Sequence, residues 1–200
     1  MANSITEPAK IRAVALDFDG VIANLDLDWK AAIRQASAIA GYNIKSLITF
    51  YEQCFGTPLF QKISAEMEKL ELQALITSPI LPDAKETIKK LAEKNVDLYI
   101  VSMQSNGLIK TFLDQNGLTS YFKDIVTREK CPNKKAQVEY VLKTYNVTPS
   151  QLLLVDDSNR NIALCSDLGI SCFHFQNRVH FLSYENAATE PWGKVLNLVI

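Results

Sequence analysis

Two carboxylates one residue apart, Asp17 and Asp19, follow the apolar run Ala13-Val14-Ala15-Leu16 and are followed by Gly20. Such a run reads as a buried strand, so the acids stand at its carboxyl end. Alone, they would pass for a polar strand end with a turn at Gly20. A second acidic end, Asp156-Asp157-Ser158 after Leu152-Leu153-Leu154-Val155, makes them half of a site. Gathered carboxylates repel unless a cation or a shared proton lies between them. Ser102 closes a further apolar run, Leu98 to Val101, and Lys130, Lys134 and Lys135 lie between it and the second acidic pair. Carboxylate oxygens without a histidine cluster suit a hard cation such as Mg2+. A hydroxyl with an ammonium suits a phosphoryl group. Together these groups make a site for phosphoryl transfer.

Helix geometry separates the lysines. At about 100° per residue, Lys134 falls roughly 30° from the centre of the Val138-Val141-Leu142-Tyr145 stripe and Lys135 roughly 70°. Lys134 is therefore the first choice for the phosphate-binding lysine and Lys135 the alternate, while Lys130 reads as a loop charge. The alternative for Ser102 is a helix N-cap. His174 and His180 read as structural residues, and Phe173, Phe175 and Trp192 as core or docking residues.

Positioning these groups requires a scaffold, and the apolar spacing supplies one. After the first strand three helical stripes follow in succession: Trp29, Ile33, Ala36 and Ile39, stopped by Gly41; then Ile44, Leu47, Ile48, Tyr51 and Phe55; then Leu59, Ile63, Met67, Leu70 and Ala74, opened by Thr57-Pro58. Three consecutive helices cannot cover a parallel sheet by alternation, so residues 25–78 are expected to form a small helical cap. Trp29, Tyr51 and Phe55 could face a substrate from it, although cap packing is their ordinary role. The prolines of Ser78-Pro79-Ile80-Leu81-Pro82 mark the return. Helix and strand then alternate: a helix on Ala84, Ile88 and Leu91, the strand at Leu98, a helix closed by Asn116-Gly117, a short strand at Asp124-Ile125-Val126, a helix after Asn133, the strand at Leu152, a helix from Ile162 to Leu168, and a strand from Ile170 to Phe175. The expected fold is α/β, a Rossmann-like parallel sheet flanked by helices, with its core in residues 1–24 and 79–200. Ligands of such sheets bind at the carboxyl ends of the strands. Val195 to Ile200 fits either a strand or a helix.

Composition narrows the partners. Lys and Arg total 21 against 22 Asp and Glu, a net charge of -1, so no basic excess points to nucleic acid or an anionic membrane. The polar residues 1–8 lack a signal-peptide pattern, no apolar run reaches membrane-spanning length, and the four scattered cysteines read as free thiols. A cytoplasmic enzyme acting on a small phosphorylated metabolite is the expectation.

The pattern resembles the haloacid dehalogenase (HAD) superfamily over nearly the whole chain. Asp17-Phe18-Asp19-Gly20-Val21 looks like its first motif, Val101-Ser102 its second, a lysine at a helix start its third, and Asp156-Asp157-Ser158-Asn159-Arg160-Asn161 its acidic fourth; the helical insert sits where the family places a cap. The resemblance implies Asp17 as nucleophile, Asp19 as general acid and base, and Ser102 and Lys134 on the phosphoryl group. It also implies Mg2+ held by the Asp17 carboxylate, the Asp19 backbone carbonyl and Asp157. In two places the chain departs: Asn161 stands where many members carry a second acid, and Asp156 where they carry glycine. Lys134 also lacks the proline that often follows the family's lysine. The implied activity is a Mg2+-dependent phosphatase of a small phosphomonoester. A phosphomutase, or a binding or regulatory domain with weak or absent turnover, stands as the alternative.

Overall fold

The computed structural model describes residues 10–176 and 189–200. Five strands form one fully parallel sheet: β1 (Ala13–Leu16), β2 (Asp97–Val101), β3 (Phe122–Val126), β4 (Leu152–Asp156) and β5 (Ser171–His174), in the order β3-β2-β1-β4-β5. The central strands β1 and β4 are buried along their whole length. That is the physical reason their sequences are unbroken apolar runs rather than alternating ones.

Between β1 and the alternating part of the chain stand three helices, α1 (Trp29–Ala40), α2 (Leu47–Cys54) and α3 (Pro58–Ala74). Asp28, Ser46 and Thr57 cap them, each side chain accepting the backbone N–H three residues on. α1 starts at Trp29, the first residue of its apolar stripe, whereas the Ser46 cap sets the start of α2 three residues after Ile44, where its stripe begins. The helices bury a core of their own, including Ala32, Ala36, Phe50, Ile63 and Met67, into which Met103 of the sheet portion also packs.

The remaining helices, α4 (Ala84–Glu93), α5 (Asn106–Asn116), α6 (Lys134–Thr144), α7 (Asn159–Cys165) and α8 (Thr189–Val199), belong to the sheet portion. One core on it gathers Val14, Leu16, Ile100 and Phe112, and the other Ala15, Tyr99, Val138 and Leu154. The chain end, open between strand and helix in sequence, is helical: Trp192, Val195 and Val199 are buried on one face of α8. Trp192 is a core residue, its ring 5.0 Å from that of Phe175. The helix expected from Ile162 to Leu168 starts earlier, at Asn159, and yields to a 3-10 turn over Ser166–Leu168. Apolar spacing misses that start because the first turn, Asn159-Arg160-Asn161, is wholly polar. His180 lies outside the described residues.

Strand register builds the site. Leu16 pairs with Ile100 on one side and Val155 on the other. Asp17, Ser102, Asp156 and Asp157 therefore leave the sheet along one rim, at the carboxyl ends of three adjacent strands.

Candidate active site

At that rim Asp17, Asp156 and Asp157 offer carboxylate oxygens that all lie within 4.8 Å of one another. A pocket of about 200 Å3 opens over them, lined by Asp17, Asp19, Asp157, Ser158 and Asn161 from the sheet portion and Ile48 from α2. Met103, Gln104 and Arg160 complete it.

The three acids are held differently. Asp17 Oδ1 accepts the Phe18 N–H at 2.7 Å and faces Lys134 Nζ at 3.0 Å, which leaves Oδ2 without a protein donor among the described residues. Asp156 is fully buried and saturated. Its Oδ1 accepts the Ser158 N–H and the Asn161 amide, and its Oδ2 the same amide and Lys134. Asp157 is exposed and takes no side-chain donor among the described residues; its backbone carbonyl meets His174 Nε2 at 2.9 Å. Hence Asp156 is spent on orienting Lys134, while Asp17 Oδ2 and Asp157 remain open. An all-oxygen donor set with no imidazole or thiolate fits Mg2+.

Burial governs the charges. It lifts the Asp17 carboxyl to about 7, against the attraction of Lys134 and with further repulsion from Asp156 and Asp157. Burial also lifts Asp19 to about 6, offset in part by the Leu25 N–H that its Oδ1 accepts at 2.9 Å. For Lys134, burial disfavours the ammonium, but Asp17 and Asp156 outweigh it and hold the group above its ordinary value. Cations are drawn to such a cluster because ionising all three acids against one lysine leaves net negative charge in a half-dry site.

The remaining sequence candidates fall as follows. Lys134, at the first position of α6, is 1% exposed and also donates to the Val101 carbonyl, so it stands behind the acids rather than in the pocket wall. Lys135 pairs with Asp167 at the surface, away from the acids. Lys130 pairs with Asp124 and lies over the Tyr140 ring. Ser102 is fully buried, and its hydroxyl donates to the Gln104 side chain. The cap of α5 is Ser105, not Ser102. Asn161, in place of an acid, gives its amide to Asp156, a bond that a carboxylate could not make without a shared proton.

Gly20 supplies the closeness. Its φ is +79°, and a Cβ built there would stand 2.2 Å from Asp157 Oδ2. Gly20→Ala is expected to cost about 1–2 kcal/mol from the left-handed backbone alone. If Asp157 is a metal ligand, as proposed below, a displacement of about 1 Å, which can cost roughly 100-fold in rate, should lower turnover far more than the stability loss accounts for. Urea unfolding and a Mg2+ titration of turnover check the two effects separately.

Sequence reasoning missed three participants. Gln104 caps the Ser102 hydroxyl and lines the pocket. Arg160, at the pocket wall, forms a two-oxygen ion pair with Glu52 of α2 at 2.7 and 2.9 Å. Arg128 is buried against Glu71 of α3. The first two have no spacing signal. Glu71 had one: it continues the buried face Phe60, Ile63, Ser64, Met67 and Ala74, where a carboxylate needs a partner. A larger open cleft, about 790 Å3, runs along β3 with mixed charges such as Glu68, Lys110 and Asp124, and contains none of the clustered acids.

No described helix is long and apolar enough to cross a membrane. Among curated proteins, the chain is similar to a phosphoglycolate phosphatase of Vibrio vulnificus, 23% identical over 189 residues and covering 82% of this chain and 83% of the relative. A phosphoglycolate phosphatase of Vibrio cholerae matches at 23% over 190 residues, with the same coverage. Among solved structures, a HAD-superfamily hydrolase of Geobacter sulfurreducens superposes with a TM-score of 0.63 at 17% identity, covering 95% of this chain and 97% of that one. One from Ehrlichia chaffeensis gives 0.57 at 16%, covering 96% and 98%. At such identities these structures speak for the fold. The family model for haloacid dehalogenase-like hydrolases matches residues 14–175, from the first strand through both acidic rims to the last, and by that match the chain belongs to the haloacid dehalogenase-like hydrolase family.

Proposed function

We propose that the chain is a Mg2+-dependent phosphatase that hydrolyses a small phosphomonoester through an aspartyl-phosphate on Asp17. The observation that carries this reading is the unengaged Oδ2 of Asp17, beside Asp157 and Asp19 in one pocket, with Lys134 fixed behind. The Asp17 and Asp157 carboxylates and the Asp19 backbone carbonyl would hold Mg2+, whose positive charge would let a carboxylate approach an anionic phosphate. One Asp17 carboxylate oxygen attacks phosphorus, the bond from phosphorus to the alcohol oxygen breaks, and the alcohol oxygen takes the Asp19 proton. Asp19 then takes a proton from water as the water oxygen attacks phosphorus and releases Asp17. A carboxyl lifted to about 6 by burial suits a group that must both give and accept a proton near neutrality.

Ser102 holds a phosphoryl oxygen in exchange for its bond to Gln104, and Lys134 offsets the charge of Asp17 and Asp156 throughout. Residues 25–78 act as the cap: Ile48 closes one side of the pocket, and Glu52 anchors Arg160 at its wall. The test is phosphate release from a panel of alkyl and aryl phosphates with Mg2+ or with excess chelator. Release is expected with Mg2+ and background with chelator. Equal turnover in both would refute the proposal.

A further inference from the structure

A second cavity of about 300 Å3 adjoins the catalytic pocket, and the two share Ile48, Met103 and Gln104 as walls. Trp29 and Ile33 of α1 and Leu47 and Tyr51 of α2 form its other walls. Most of this surface is apolar, and its two charged residues stand apart from the apolar walls. The cavity's acid, Glu71, has both oxygens engaged, one by Arg128 and one by the Ser105 N–H, so it presents no free carboxylate. Its lysine, Lys45, stands at the cavity's outer edge, exposed to water. The walls are also fixed in advance. The Tyr51 ring is 2% exposed, lies 5.2 Å from the Arg128 guanidinium and meets Phe60 edge-on at 5.7 Å. An apolar, preformed recess with few polar groups is the usual form of a small-molecule site. A carboxylate pushed into it would give up water for hydrocarbon.

We propose that this cavity receives the alcohol portion of the phosphomonoester, and that this portion is an apolar body about the size of an aromatic ring rather than a short carboxylate. The assignment rests on the phosphatase reading of the adjoining pocket. The shared walls give the direction: with the phosphoryl group over Asp17, an alcohol portion that extends past Met103 and Ile48 enters the recess. Burying a ring against Trp29, Tyr51 and Met103 then adds hydrophobic and aromatic contact that a two-carbon acid cannot make.

The test is calorimetric binding of carbon-linked phosphonates, which cannot be hydrolysed, to the full chain in Mg2+. Methyl-, hexyl-, 2-phenylethyl- and carboxymethylphosphonate form the series. The phenylethyl compound is expected to bind about tenfold or more tightly than the methyl one, hexyl to fall between, and carboxymethyl to gain nothing over methyl. Trp29→Ala trims a wall residue that is 37% exposed, so the fold should survive it, and it is expected to narrow the phenylethyl-to-methyl ratio by about threefold or more. Equal affinities, no measurable binding, tightest binding by the carboxymethyl compound, or a ratio unmoved in Trp29→Ala would each overturn the assignment. Phosphate release from 2-phenylethyl phosphate is read separately. If affinities follow the expected order and nothing is released, the ligand class of the cavity stands and the catalytic reading fails.

Discussion

Replacing Asp17 by asparagine is expected to lower phosphate release by roughly 10,000-fold or more, as for other residues that act as the reacting group, and to stabilise the metal-free protein at neutral pH. The first effect follows from the proposed mechanism, in which the amide could not attack phosphorus and would be a poorer cation ligand. The second follows from burial, which lifts the Asp17 carboxyl from the ordinary 3.8 to about 7 despite Lys134 at 3.0 Å. Between those values the folded chain keeps a proton that the unfolded chain has released. Stability therefore falls as pH rises through that window, and above about 7 the full cost of the buried charge is present. At 1.36 kcal/mol per pKa unit the rise from 3.8 to about 7 costs on the order of 4 kcal/mol.

Asparagine carries no such charge. With chelator present, wild type and Asp17→Asn should unfold at similar temperatures near pH 4, and the variant should lead by several degrees at pH 8. Adding Mg2+ should close or reverse that lead, since a cation bound by the folded state stabilises it by mass action. Parallel melting curves across the pH range would sink the electrostatic argument. Substantial turnover by Asp17→Asn would sink the catalytic one.

How far the sequence discloses this molecule depends on whether each feature is local. Buried parallel strands are legible because burial on both faces forces unbroken apolar runs, as at Val14-Ala15-Leu16 and Leu152 to Val155. Strand β3, with a burial pattern mixing intermediate and exposed residues, left only Asp124-Ile125-Val126 visible of Phe122–Val126. The acids stood out because carboxylates after such runs demand a reason. Helical angles separated Lys134 from Lys135 for the same local cause, and the fold buries one and leaves the other on Asp167. The roles of Asn161 and Gln104 depend on which partner lies across a turn, which periodicity does not encode. The junction between the three-helix unit and the sheet is less legible still, because Arg128 and Glu71 are 57 residues apart.

That junction carries the second large effect. Arg128 is fully buried on the loop after β3. Its Nε donates to Ser64 Oγ at 2.8 Å, one terminal nitrogen to Glu71 and to the Met103 carbonyl at 3.1 Å, and the other to the Ser64 carbonyl at 3.0 Å. Glu71 also accepts the Ser105 N–H at 3.1 Å. Every bond but that to Met103, which lies on Arg128's own side, joins the sheet portion to α3. Either Arg128→Ala or Glu71→Ala leaves a buried charge without its partner, and each is expected to cost about 3–5 kcal/mol. For a chain of this size that is a fall of roughly 6–20 °C in Tm. The double variant Arg128→Met with Glu71→Leu buries no charge and should recover part of the loss. The backbone groups of Ser64, Met103 and Ser105 still lose partners, so recovery should stop short of wild type. Urea unfolding of Arg128→Met, Glu71→Leu and their double as a cycle measures the coupling. A single-variant cost below about 1 kcal/mol would mean the pair adds nothing to the junction. A cost of the expected size, together with a phenylethylphosphonate ratio that collapses in Glu71→Ala, would tie the pair to the pocket as well, because Tyr51 and Met103 take their positions from Arg128.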